Sequence, residues 1–269
     1  YALTANWSNP SASTFSRIQT INVPSFDAIF GSNWNDISQP GTTQKLDALS
    51  EMLMYSVKYR NFGNGDERIV ACHAVDVGSQ KAGIRWYELK KNQSTGQWEL
   101  RQSGTFSPDA NSRWNPSIAI NKNKDIAVAY NITGSSTNVY PGLRLTGQTA
   151  ASNANATGTF DVDETVIANG VTYQSTYNRW GDYALMSVDP SDEETFWFSS
   201  SYMGVSGDHS NKSTRIVAFK FPSTSNDATN FTATAVSSSQ IDLPWNLNAN
   251  NNPVLLAYNT SPTFGTPAN

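Results

Sequence analysis

Two Arg-Trp pairs stand about 66 positions apart: Arg113-Trp114 in RWNPS (113–117) and Arg179-Trp180 in RWGDY (179–183). A guanidinium presents a rigid fork that grips a carboxylate through two hydrogen bonds, and an indole stacks on flat apolar or cationic groups. Arg60, in YRNFG, is a third arginine beside an aromatic residue. Two chemistries compete for these residues. Arginines that converge on one open cleft would hold an anion, with Asp182 and Tyr183 beside them as the nearest reactive groups. Arginines laid against a ring or a carbonyl would instead fasten neighbouring sheets, each such cation–π contact being worth about 0.5–2 kcal/mol. We expect the second: Arg113 and Arg179 paired and mostly buried, with Trp114 and Trp180 in matching places.

A second set of side chains has the spacing of an oxygen cage. Asn121, Asn123 and Asp125 alternate in NKNKD, and Asp189 and Asp192 border another turn. Alternating oxygens of this kind serve some calcium loops. One or two carboxylates per turn also cap hairpins through backbone N–H groups, and calcium therefore enters only as a candidate ligand, with no cofactor required. Cys72 and His73 are adjacent in RIVACHAV, so on a strand they face opposite sides and cannot act as a pair. The single cysteine reads as a buried thiol. Trp7, Trp34 and Trp98 are candidates for stacking on sugar rings, with core packing as the alternative.

The elements that must position these groups are strands. Only 15% of the 269 residues are charged, while aromatics make up 12%, with 8 Trp. That balance suits an all-β protein more than a helical one. The net charge of −4 comes with no basic stripe, which argues against nucleic-acid binding. No apolar run approaches the length of a membrane span.

Strand signals recur in register. NPSIAI-NKNKD-IAVAYNI (115–132) aligns with DYALMSV-DPSDEET-FWFSSSYM (182–203), each a strand, a polar turn and a strand. LMYSVKYRNFGNGDERIVACHAVDV (53–77) has the same form. A third strand with a basic residue follows each: AGIRWYELK (82–90), PGLRLTGQT (141–149) and STRIVAFKF (213–221). Fourth runs follow at 97–106 and 163–173. Units of four antiparallel strands repeating every 55–70 residues or so predict a partial β-propeller of about three to four blades. A β-sandwich is the competing architecture. The expected divisions are 1–52 (the end of one blade plus a connection), blades at 53–108, 109–174 and 175–228, and an incomplete module at 229–269. TTQKLDALSEMLM (42–54) is the one helix-like stretch. The start reads as the last two strands of a blade, and the end as the opening of an Ig/fibronectin III-like sandwich, from Leu243, Trp245 and VLLAYN. That module needs about 100 residues, so further polypeptide, from the same chain or a partner, is expected to complete both ends.

SVDPSDEETFW (187–197) resembles the Asp-box, the S-x-D-x-G-x-T-W turn of bacterial neuraminidase-repeat propellers: Ser187, Asp189, Thr195 and Trp197 match in kind, although the turn is longer and lacks the central Gly. Together with YRNFG, AGIRWYEL, RWGDY and VLLAYNTSPTFGTP, it resembles large secreted bacterial surface proteins. These carry a sialidase-like propeller followed by fibronectin type III-like modules, often with a type IX secretion sorting domain. The resemblance implies an extracellular or cell-surface location and contact with glycan or protein partners. It also implies an alternative function, a sialidase-type glycosidase, in which Arg60, Arg113 and Arg179 would grip the substrate carboxylate near the propeller axis and Tyr183 or Asp182 would act on the bond. No Glu occupies a position matching a sialidase base, so binding or display without catalysis is the preferred expectation.

Overall fold

The structure, a computed structural model, describes residues 1–31, 33–50, 52–53, 56–221, 232, 234–237 and 240–243. The protein is all-β, and every strand pairing among the described residues is antiparallel. The chain divides into two units, residues 1–221 and 222–269. In the second, β14 (Thr234–Ser237) and β15 (Gln240–Asp242) form a hairpin. Trp245 and the VLLAYN run, which carry the fibronectin-like expectation, lie outside the described residues.

The first unit holds three large sheets in chain order. The first is β3 (Lys58–Asn61), β4 (Glu67–Asp76), β5 (Ala82–Lys91) and β6 (Trp98–Phe106), each strand beside its sequence neighbour. The second is β7 (Ser112–Ile120), β8 (Ile126–Gly134), β9 (Val139–Gln148) and β10 (Val162–Ala168), and the third is β11 (Leu185–Val188), β12 (Phe196–Tyr202) and β13 (Ser213–Phe219). β1 (Ala2–Thr4) and β2 (Thr14–Ser16) form a separate small ladder.

The composition of β8 accounts for the stacking. All nine of its residues are buried, because both faces of the second sheet are covered. Ile126, Val128 and Tyr130 meet Val70, Cys72, Ile84 and Trp86 of the first sheet. On the opposite face, Ala127 and Ala129 leave room for Met186, Phe196 and Phe198 of the third. Small residues opposite large ones let the two layers close without voids. A third cluster joins Trp114 and Trp180 to Phe30, Ile37, Leu46 and Ala48 of the N-terminal loops.

The turns follow their chemistry. Phe62 and Asp66 close the β3–β4 hairpin through a backbone bond of 2.8 Å, with Gly63, Asn64 and Gly65 at positive φ. In the β11–β12 turn, Glu193 takes φ 57°. Asp189 Oδ2 accepts from Trp197 Nε1 at 2.9 Å, and its backbone N–H donates to the Thr195 carbonyl at 2.8 Å.

Residues 42–50 are not helical. Leu46 pairs with Ile37 in an isolated bridge, and Leu46, Asp47, Ala48 and Ser50 are buried in extended chain. Burial of Leu46 and Ala48 against Trp114 and Trp180 outweighs a helix propensity that no cap reinforces. Asp36 Oδ2 instead accepts the Ala48 N–H at 3.0 Å.

Candidate functional site

Three loop segments come together at the N-terminal end of β11. Asn178 ties them: its Nδ2 donates to the Trp34 carbonyl at 3.0 Å, and its own carbonyl accepts the Asp47 N–H at 3.0 Å. Gln174 Nε2 braces the same turn by donating to the carbonyls of Tyr177 (2.9 Å) and Arg179 (2.7 Å). Trp34, Asp47, Leu49, Met52, Asn178, Arg179 and Asp182 line the resulting cleft, whose volume is about 720 Å³.

The cleft combines a flat ring with a charged pair. Trp34 is 61% exposed and sits at φ 61°, a left-handed conformation that costs a bulky residue about 1–3 kcal/mol and persists only where its surroundings impose it. Arg179 Nη2 donates to Asp182 Oδ1, and both side chains remain open to solvent. An exposed indole can stack on the apolar face of a ring. A guanidinium–carboxylate pair beside it supplies both donors and acceptors, as adjacent hydroxyl groups require. Tyr183, 62% exposed, stands next to Asp182 beside a small recess containing His73 and Asn115.

The other arginines lie elsewhere. Arg60 pairs with Glu193 at 2.9 Å, and the Glu193 carbonyl accepts the Lys122 N–H just beyond the C-terminal end of β7. Arg113 is at the opposite end of that strand, about 25–30 Å away at the rise of an extended chain. The three arginines therefore do not form one anion-binding cluster. Arg113 is fully buried and forked onto two carboxylates, Asp109 (2.8 and 2.9 Å) and Glu164 (2.7 and 3.0 Å), with its Cζ 5.4 Å from the Phe106 ring. Burial opposes its charge, and the two carboxylates outweigh that, holding the guanidinium pKa above its usual value. The Arg113 hydrogen bonds in turn hold Asp109 down to about 2.

Arg113 thus has the paired, buried role expected for it, and Arg179 does not: the open loop before β11 leaves it 58% exposed. Trp114 and Trp180 are both buried, but instead of occupying matching places in successive sheets they touch each other edge-to-face, centroids 5.3 Å apart. Trp114 lies within β7, whereas Trp180 lies in a loop, so the repeated phrase does not repeat a local structure.

The oxygen-rich turns are self-satisfied. Asn121 Oδ1 accepts the N–H groups of Asn123 (2.9 Å) and Asp125 (3.0 Å), while Asp125 takes Asn121 Nδ2 and the Ala150 N–H. Asp189 accepts from Ser191 and Trp197, and Asp192 from Glu194, Thr195 and Lys220. These bonds cap the turns through backbone N–H groups and neighbouring side chains. Among the described residues no three His, Cys, Asp or Glu side chains gather as metal ligands.

Trp34 was identifiable from sequence as a stacking candidate. Asp47 and Asn178 were not, since only the meeting of distant loops gives them a role. Glu88 also escaped notice: fully buried, it accepts from Arg68 (2.5 Å), Arg101 (2.8 Å) and Gln102 (2.6 Å) and ties the first sheet to Asn153 after β9. No protein-family model matches the chain, and no curated protein matches it.

Proposed function

We propose that the chain is a binding or display segment of a larger secreted or cell-surface bacterial protein, a stretch of β-propeller running into a fibronectin III-like module, and that it contacts a glycan through the Trp34–Arg179–Asp182 cleft. The observation that carries this reading is the exposed Trp34, held in a left-handed conformation, in one cleft with an exposed arginine–carboxylate pair. The propeller reading is supported by three consecutive up-and-down sheets packed face to face, the middle one covered on both sides. The Asp-box-like turn and the sequence resemblance point the same way. The separation of Arg60 from Arg113 disfavours a sialidase-type site.

Further polypeptide, from the same chain or a partner, is expected on the third sheet. Its outward row carries Leu185, Trp197, Ile216 and Ala218, all exposed, beside Ser187, Ser199 and Thr214 and no charged side chain. Such a face favours sheet-on-sheet packing. Among the described residues no helix is long and apolar enough to cross a membrane.

The test is a glycan-array screen followed by calorimetry on the 269-residue chain. Binding of a sialylated or neutral oligosaccharide should fall at least about tenfold in Trp34→Ala and in Arg179→Ala, with unchanged melting temperatures. Turnover of sialosides that disappears in Arg179→Ala would replace this reading with the glycosidase. A screen without any glycan ligand would overturn the cleft assignment.

A further inference from the structure

The first unit exposes two apolar strand surfaces, one at each end of its stack of sheets. The first is the ladder of β1 and β2. Leu3 pairs directly with Phe15, so both side chains lie on one face. Tyr1, two residues from Leu3, joins that face and stacks on Phe15 with ring centres 5.1 Å apart. All three are at least 70% exposed. No charged residue occurs before Arg17. A two-stranded ladder is marginal alone and needs a packed face for stability.

The second surface is the outward row of the third sheet. Leu185, Ser199 and Ile216 lie in register across its three strands, as do Ser187, Trp197 and Ala218. Leu185, Trp197 and Ile216 are exposed, with small side chains between them. Gaps of this kind admit the side chains of an opposing sheet. Neither surface carries a charge at its strand positions, so bringing them together desolvates none.

The chain's own ladder cannot reach its own row. Gln19 fastens the segment after β2 to an edge strand of the first sheet: its Oε1 accepts the Trp98 N–H at 2.9 Å, and its Nε2 donates to the Trp98 carbonyl at 2.6 Å. The third sheet is on the far side of the second, and its row faces farther outward still. A layer laid on that row would stand three sheet spacings, about 30 Å, from the first sheet. The four residues from Gln19 back to Phe15 span at most about 14 Å.

On the reading that further polypeptide covers the third sheet, we propose that the occupant is the β1–β2 ladder of a second copy of this chain, set with Tyr1, Leu3 and Phe15 against Leu185, Trp197 and Ile216. The contact joins unlike surfaces, so it is head-to-tail, each copy donating a ladder and receiving one. The test is sedimentation velocity on the 269-residue chain from micromolar to submillimolar concentration. The unmodified chain should associate as concentration rises, whereas Leu3→Lys and Ile216→Lys should each stay monomeric with unchanged melting temperatures. Mixed one to one, the two variants should form a dimer that grows no further, because one supplies the intact ladder and the other the intact row. Phe15→Lys repeats the ladder arm if Leu3→Lys does not fold. A monomeric unmodified chain, association that survives in Ile216→Lys, or a mixture that stays monomeric would overturn the proposal. Association lost in Ile216→Lys but kept in Leu3→Lys would also overturn it while leaving the third sheet as a docking face, so the two readings fail separately. Glycan binding at the Trp34 cleft should be unchanged in both variants, since the cleft includes neither residue.

Discussion

Replacing Trp180 by alanine tests whether the two tryptophans hold the loops onto the sheets. Trp180 is 2% exposed and Trp114 fully buried, and their rings meet at 72°. Truncating a buried indole costs about 3–5 kcal/mol. Losing the edge-to-face contact contributes about 0.5–1.5 kcal/mol of that, and the Lys212 ammonium, 5.2 Å from the Trp180 ring centre, loses a cation–π partner as well. One effect opposes these. Neither indole N–H has a hydrogen-bond partner among the described residues, and a buried orphan donor costs about 1–3 kcal/mol that truncation recovers. The expected loss for Trp180→Ala is therefore near 3 kcal/mol. Trp180→Phe keeps a ring and removes the orphan donor, so it should cost less than about 1.5 kcal/mol. Urea unfolding followed by far-ultraviolet circular dichroism gives both values, and a cycle with Trp114→Ala should show coupling of about 0.5–1.5 kcal/mol. A Trp180→Ala loss under about 1 kcal/mol, strict additivity in the cycle, or a phenylalanine as damaging as alanine would refute the packing account.

Two other perturbations probe the buried charges. Glu88→Gln leaves Arg68 and Arg101 without the carboxylate that both contact, and should cost about 3–5 kcal/mol in chemical denaturation; a loss below about 1 kcal/mol would mean that the network is dispensable. Acid should destabilise the fold through Asp66 and Asp109, whose carboxyls are held below their unfolded values chiefly by hydrogen bonds from Arg68 and Arg113. Because their folded pKa values are depressed, their contribution is present above the unfolded value of 3.8 and is lost as pH falls from about 4 towards 2. Urea midpoints measured across that window should decline steeply, and Asp109→Asn should flatten part of the decline.

The strands were legible because their determinants are local. Alternation and polar turns in 82–90, 97–106, 115–132 and 182–203 suffice to mark β5 to β8, β11 and β12, and each strand pairs with its chain neighbour, so little depends on distant contacts. Arg113 was legible as a buried arginine against a ring, which Phe106 supplies, whereas its carboxylate partners Asp109 and Glu164 were not foreseen. Arg179, in an almost identical phrase, was misread because its neighbours continue as loop. A strand begins at Ser112, just before Arg113, but only at Leu185 after Arg179. The helix-like stretch 42–54 is not helical over 42–50, on tertiary grounds, since Leu46 and Ala48 pack under Trp114 and Trp180. The cleft could not be read at all. Trp34, Asp47 and Asn178 are joined by one side-chain and one backbone hydrogen bond across more than a hundred positions, and no local pattern encodes such a meeting.

The two outer sheets differ in their outward faces. That of the first sheet is partly covered by residues 21–26, with Phe26 set edge-on against His73 at 4.8 Å, so a second sheet cannot lie flat on it. The third sheet has the opposite character, because its outward row is uncharged and carries apolar side chains spaced two residues apart on paired strands. Sheet-on-sheet packing needs such a row, and water penalises its exposure. A single charge placed in the row, as in Ile216→Lys, would disrupt packing of a further sheet there. The same charge would leave the cleft untouched, since the cleft includes no residue of β13. Packing of a further sheet on the outward row of the third sheet would thus engage residues distinct from those of the Trp34 cleft.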